Sequence, residues 1–170
     1  MSGWEGETAG FMNRADHIAA LRAASGVLAA GDRLLLAEWT DADWNKLLDH
    51  TQSRPFRTSE VLIHRDATDR ALHFVVAGAL EVGITQVNGV SILPLAKITP
   101  GSIVGEQSFF DGQPRSTNVY AISDGELLRL EYEDFVRFSQ AEPALTRDLL
   151  FAMGRVLSSR LRNTTFRVRR

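Results

Sequence analysis

The residues best placed to do chemistry in this 170-residue chain lie between positions 105 and 117, in the stretch GEQSFFDGQPRST. Glu106 and Arg115 stand nine residues apart, a pure hydrogen-bond acceptor and a planar five-donor fork. If 106–111 form a turn of helix, its first amides point outward unpaired and favour an anion. Gly105 follows a short strand at 102–104 and can take a positive φ or let a ligand approach the backbone. Gly112 ends the turn, and Pro114 fixes the approach to Arg115, which then begins a strand with its fork open to a phosphate. Ser116 and Thr117 add a hydroxyl and backbone donors, while Glu106 suits a sugar hydroxyl. The same spacing also fits a surface ion pair across a turn, and the residues alone leave both readings open.

Other chemistry has little to build on. The four histidines (His17, His50, His64, His73) show no i,i+4 pairing and no H-E-x-x-H pattern, and there is no cysteine, so no metal site is expected. Ser108 sits in GEQSFF, which is not a nucleophile elbow. Neither G-x-G-x-x-G nor a P-loop is present. These patterns point to binding rather than catalysis.

Several elements must position that stretch. Apolar Ile18, Leu21, Val27 and Leu28 fit a helix over 13–30, after a loose terminus at 1–12. In WTDADW, Thr40 and Asp43 have the spacing of a capping box, and Trp39 and Trp44 that of a hydrophobic staple, which predicts a helix over 40–50. After Pro55 the pattern changes to short runs with two-residue alternation: Phe56, Val61, Ile63, Phe74, Val76, Leu80, Val82 and Ile84. VNGV at 87–90 predicts a tight hairpin, and Pro94 marks 91–98 as an edge or bent strand. TPGS at 99–102 is a turn, and 119–122 and 127–130 add two strands. Short antiparallel strands at this spacing indicate a barrel, sandwich or jelly roll. Helix returns at 134–139 and after Pro143, where Leu145, Leu149, Met153, Val156, Leu157 and Leu161 form an apolar stripe. At the end of a chain such a stripe can pack on the core, cover a ligand or pair with a second subunit.

Bulk properties exclude other classes. Net charge is −2, giving no global signal for nucleic acid. Six arginines and no acid lie from Arg155 to Arg170, either a solvated terminus or a basic contact, but arginine outnumbers lysine 17 to 2 throughout. No membrane span or signal peptide is expected, and the lack of cysteine fits a cytoplasmic protein.

The segment VGEQSFFDGQPRSTNVYA (104–121) resembles the phosphate-binding cassette of the cyclic nucleotide-binding domain family. Gly105, Glu106, Pro114, Arg115, Ser116, Thr117, Val119 and Ala121 fall in register with its pattern. ALHFVVAGALEVGI (71–84) is similar to the family's signature strand pair, with Gly78 at the turn, and LLRLEYEDFVRFSQAEPALTRDLL (127–150) to the segment leading into its hinge and lid helices. The helix at 40–50 matches the one preceding the family's β-roll, so the resemblance spans 33–162. It implies an α+β, mainly β fold: an eight-stranded antiparallel β-roll with N-terminal helices, a short cassette helix and C-terminal lid helices. The organisation expected is an extension over 1–32 and a binding domain over 33–170, with the roll at 55–131 and C-terminal helices at 132–165.

The same resemblance implies ligand contacts from Gly105, Glu106, Gln107, Ser108, Pro114, Arg115, Ser116 and Thr117. Arg115, helped by cassette amides and Ser116, would pair with a cyclic phosphate, and Glu106 would accept from the ribose 2′-OH. The C-terminal helix would cap the base around Leu157, Arg160 or Leu161. The ligand implied is cAMP, with cGMP the alternative, and no metal. Three departures stand out: Ser59 stands where the family usually has a glycine, Arg65-Asp66 where it usually has Gly-Asp, with a reshaped loop expected, and Gln107 replaces an apolar cassette residue. The implied function is a non-enzymatic, bacterial-type receptor that relays ligand binding through its C-terminal helix to an effector protein. No helix-turn-helix, channel or kinase segment follows, so a stand-alone receptor or a fragment is expected. A degenerate, non-binding module that dimerises through that helix is the alternative, and nucleic acid is not an expected partner.

Overall fold

The computed structural model describes residues 12–25, 32–85 and 92–168. The chain runs α1 (Arg14–Ser25), α2 (Asp41–Leu48), β1 (Gln52–Phe56), β2 (Val61–Ile63), β3 (Leu72–Ala77), β4 (Leu80–Thr85), β5 (Ile92–Ile98), β6 (Ile103–Val104), α3 (Glu106–Asp111), β7 (Asn118–Ala121), β8 (Gly125–Leu130), α4 (Tyr132–Ala141) and α5 (Pro143–Val168). These eight strands form two four-stranded antiparallel sheets, ordered β1-β8-β3-β6 and β2-β7-β4-β5. This is the mainly β, jelly-roll architecture anticipated from the sequence.

The two faces of the first sheet divide the core. Phe74 and Val76 of β3 and Leu128 and Leu130 of β8 face the helical layer, packing with Trp44, Leu47, Phe138, Leu149, Met153 and Val156. The alternate residues Val75 and Leu127 face the second sheet, against Leu80, Ile98, Val104 and Val119. Strand β3 is therefore buried on both faces, which explains its near-continuous apolar sequence.

Local signals are realised where they can be followed. The Asp43 amide donates to Thr40 Oγ1 at 3.3 Å, and the Thr40 amide donates to Asp43 Oδ2 at 2.9 Å, closing the capping box. Trp39 and Trp44 meet edge-on, 4.9 Å between centroids, as the staple requires. Pro143 opens α5. Strand β5 is an edge strand, and its register against β4 slips where Gly83 faces Pro94 and Val82 faces Ala96, so the proline brings both the edge position and the bend. The VNGV hairpin and positions 26–30 of the expected 13–30 helix lie outside the described residues.

One expectation changes and one detail is added. In the two turns that depart from the family pattern, Ser59 (φ 72°) and Asp66 (φ 67°) adopt the left-handed conformation themselves. The arginine-rich end is not a solvated terminus throughout. It continues α5 to Val168 and returns Arg160 to the roll, with only 22% of that side chain exposed.

Candidate functional site

The 105–117 stretch folds as a short helix followed by a loop, and Arg115 lies in the loop before β7 rather than in the strand itself. Gly105 enters α3 at φ 84°. Its conformation serves Arg115: a Cβ there would lie 2.5 Å from Arg115 Nη1 and 2.8 Å from the Ala71 carbonyl oxygen. Phe109 anchors α3, fully buried against Phe135 and Tyr132 of α4 at 5.1 and 5.5 Å between centroids. Burying such a ring contributes about 2–3 kcal/mol. Arg70 stacks on Tyr132 at 3.6 Å and donates to the Phe109 and Phe110 carbonyls, satisfying the C-terminal end of α3.

Arg115 is held from all sides. Its backbone pairs with the 66–67 turn, the Arg115 amide donating to the Ala67 carbonyl at 2.8 Å and the Asp66 amide to the Arg115 carbonyl at 2.9 Å. The turn that departs from the family's Gly-Asp pattern is thus part of the clasp around Arg115. Its guanidinium donates through Nε and Nη2 to Asp69 at 3.2 and 2.5 Å, through Nη2 to the Ala71 carbonyl at 2.7 Å, and through Nη1 to the Gly105 carbonyl at 2.9 Å. Four of its five N–H groups are engaged, which leaves one for a ligand while Asp69 stays in place. The hydrogen bond from Arg115 holds the Asp69 carboxyl below the usual carboxylate range.

Glu106 is buried and pairs with Arg160 Nη1 at 2.5 Å, not with Arg115. Arg160 also reaches Asp32 at 2.5 Å through Nε and the Ile103 carbonyl at 2.7 Å through Nη2. Burial works to lower the Arg160 pKa, but the Glu106 and Asp32 carboxylates outweigh it and raise it. Ser116 Oγ donates to Gln107 Oε1 at 2.6 Å, so Gln107 caps the cassette hydroxyl.

These groups surround a cleft of about 610 Å³, within the range typical of small-ligand pockets. Gly105, Glu106, Gln107, Ser108, Arg115, Ser116 and Thr117 line it, and Ile63, Val82, Ile98, Val104 and Val119 make its apolar floor. Pro114, Leu157 and Leu161 are not among its lining residues. Arg160 lines it together with Asn163 and Thr164, one turn further along the same helix face, whereas Leu161 is rotated by about 100° and 68% exposed. Asp32, Asp69, Asn163 and Thr164 escaped the sequence reading. The i, i+3, i+4 spacing from Arg160 could have found the last two, but no pattern marks the acids. Among the described residues no cluster of three His, Asp or Glu could hold a metal ion, and no helix is long and apolar enough to cross a membrane.

Two arginines, one buried glutamate and a hydroxyl thus stand around an apolar floor. The chain is 27% identical over 130 residues to the cAMP-activated global transcriptional regulator CRP of Salmonella typhimurium, covering 76% of this chain and 60% of that protein. It is 28% identical over 110 residues to the cyclic AMP receptor protein of Thermus thermophilus, covering 65% and 50%. The chain thus spans about half to three-fifths of the length of these curated relatives. A cyclic nucleotide-binding domain from Methylobacillus flagellatus superposes with a TM-score of 0.74 at 19% identity, over 91% of this chain and 82% of that one. The cyclic nucleotide-binding domain family model matches residues 53–142, and the chain belongs to that family.

Proposed function

We propose that this domain is a cyclic nucleotide receptor, for cAMP with cGMP as the alternative, and that it acts by regulated binding rather than catalysis. The observation that carries the reading is the convergence of Arg115, Glu106 and Ser116 on one cleft with an apolar floor and an α5 wall. The cyclic phosphate, one negative charge, would take the place of Asp69 at the Arg115 fork. The ribose 2′-OH would donate to Glu106, and the purine would lie over Val82 and Ile98 towards Asn163 and Thr164. The names of the Salmonella and Thermus relatives support cAMP.

The relay has a physical route. Phe109 ties the cassette helix to Tyr132 and Phe135 of α4, and α4 leads into α5 through Pro143. A ligand that binds one cassette position better than another shifts α4 and α5 with it. On α5, Phe151, Gly154, Ser158, Leu161 and Thr165 recur at three- and four-residue spacing, all exposed, with nothing within 4 Å of a Cβ placed at Gly154. That seam fits a second copy packed helix to helix, and the effector would read the shifted α5 pair.

One observation favours a second reading, a non-binding dimerisation module: Arg115, Glu106 and Ser116 already have internal partners in Asp69, Arg160 and Gln107. Competition binding with a fluorescent cyclic nucleotide decides between them. The receptor reading expects displacement by cAMP or cGMP and none by linear 5′-AMP. No displacement at about 50 µM, a weak affinity by any measure, would leave the dimerisation module.

A further inference from the structure

Asp32 lies between α1 and α2, in a segment with no recognisable motif and outside the 53–142 family match. It is nevertheless a lining residue of the cleft. Its backbone is pinned to the turn before β6: the Asp32 carbonyl accepts from Ser102 Oγ, and two residues on the Leu34 amide donates to the Gly101 carbonyl at 2.9 Å. Its carboxylate meets Arg160 Nε at 2.5 Å. The consequence falls on Glu106. With Nε committed to Asp32 and Nη2 to the Ile103 carbonyl and Ser102 Oγ, the guanidinium reaches Glu106 Oε1 through Nη1.

An arginine beside a single buried carboxylate frequently closes on it in a two-bonded fork that occupies both oxygens. Here a second carboxylate holds the Nε edge away, and Arg160 meets Glu106 at Oε1 through its Nη1 end. We propose that Asp32 is a positioning residue of the ligand site, which keeps Arg160 singly bonded to Glu106 so that Glu106 can recognise the ribose 2′-OH. The segment ahead of the family domain thereby sets how strongly the site discriminates ribose from deoxyribose. This inference rests on the cyclic nucleotide reading of the cleft.

The charge of Asp32 sharpens the test, because its electrostatic effect runs the other way. Removing a carboxylate near an anion site strengthens anion binding if charge is all that matters, whereas loss of positioning weakens it. Calorimetric titration of the full chain with cAMP and 2′-deoxy-cAMP reads both. In the wild type, 2′-deoxy-cAMP is expected to bind about tenfold more weakly, the worth of a hydrogen bond to a charged acceptor. Asp32→Ala is expected to lose most of that ratio by weakening cAMP and not the deoxy analogue. Asp32→Glu keeps a carboxylate and is expected to retain it, which guards against a merely misfolded variant. An Asp32→Ala protein with the wild-type ratio, or one that binds both ligands more tightly, overturns the proposal and leaves the receptor reading intact. A wild-type protein that binds neither nucleotide overturns both.

Discussion

The two walls of the cleft are built on different principles. On one side, the cassette loop is specified by backbone: Gly105 has no room for a Cβ, and the 66–67 turn pairs with the main chain of Arg115. On the other, α5 offers Arg160, Asn163 and Thr164 from one face of a long helix, and at Gly154 a side chain would meet open space. A wall fixed by backbone constrains residue identity at many positions and leaves a motif. A wall made by helical spacing constrains only direction, so many sequences can build it.

Paired glycine substitutions put the largest strain on this contrast. Gly105→Ala forces a Cβ into Arg115 and the Ala71 carbonyl at positive φ and is expected to cost about 3 kcal/mol, with loss of nucleotide binding. Gly154→Ala is expected to leave the fold unharmed or stabilise it by up to about 1 kcal/mol, as alanine does in helices. Denaturant titration of both variants measures the difference; equal effects would dissolve the distinction between the walls.

Asp69→Asn probes the cassette wall from its charge. Arg115 is 2% exposed, and removing its carboxylate partner is expected to destabilise the ligand-free protein by about 2 kcal/mol, discounted because Asp69 itself is 42% exposed. A bound phosphate would replace the lost charge, so cAMP is expected to raise the Tm of Asp69→Asn more than that of the wild type. A smaller rise in the variant would place Asp69 among the groups that help the ligand rather than those it displaces.

His73, on β3 behind the same wall, supplies a pH signature. Burial pushes its pKa down to about 3, and the Arg115, Arg129 and Arg54 charges push the same way. The unfolded chain therefore takes up a proton near pH 6.5 that the folded one refuses, and stability falls as pH drops from there toward 3. The slope from this group is about 1.4 kcal/mol per pH unit. Between pH 6.5 and 4.5 it separates from the depressed carboxylates Glu126 and Asp69, whose contributions are lost at lower pH. Stability measured across that window should be flatter in His73→Leu by one proton's slope, and unchanged slopes would refute the assignment.

The smallest effect lies in the turns. Ser59→Gly relieves a left-handed serine and is expected to stabilise by about 1 kcal/mol. Asp66→Gly should gain similarly without altering affinity, since the turn already clasps Arg115 in the conformation glycine prefers. A large gain in affinity would mean that the clasp is strained in the wild type.

The same contrast explains what could be read from sequence. The capping box at Thr40, the edge strand at Pro94, the opening of α5 at Pro143 and the cassette residues are local devices, each with a short-range physical cause. Asp69 and Asp32 reach the site only because β3 and β6 pair and the segment ahead of α2 runs along the 99–102 turn, contacts made across 46 and 128 positions. No local pattern records them. The surface ion pair of Glu106 with Arg115, one of the two readings left open, does not form for the same reason, since each finds a distant partner. Leu157 and Leu161 looked like capping residues because they continue an apolar stripe, whereas the polar residues of that turn line the cleft.

The central claim is that Arg115 holds the phosphate of a cyclic nucleotide. Calorimetric titration of cAMP and cGMP into the wild type and Arg115→Lys tests it most directly, because lysine keeps the charge and loses the planar fork. The account predicts binding at or below about 10 µM for one nucleotide in the wild type, and at least a tenfold loss in the variant. Equal affinity in the two proteins, or no heat with either nucleotide in the wild type, would contradict it.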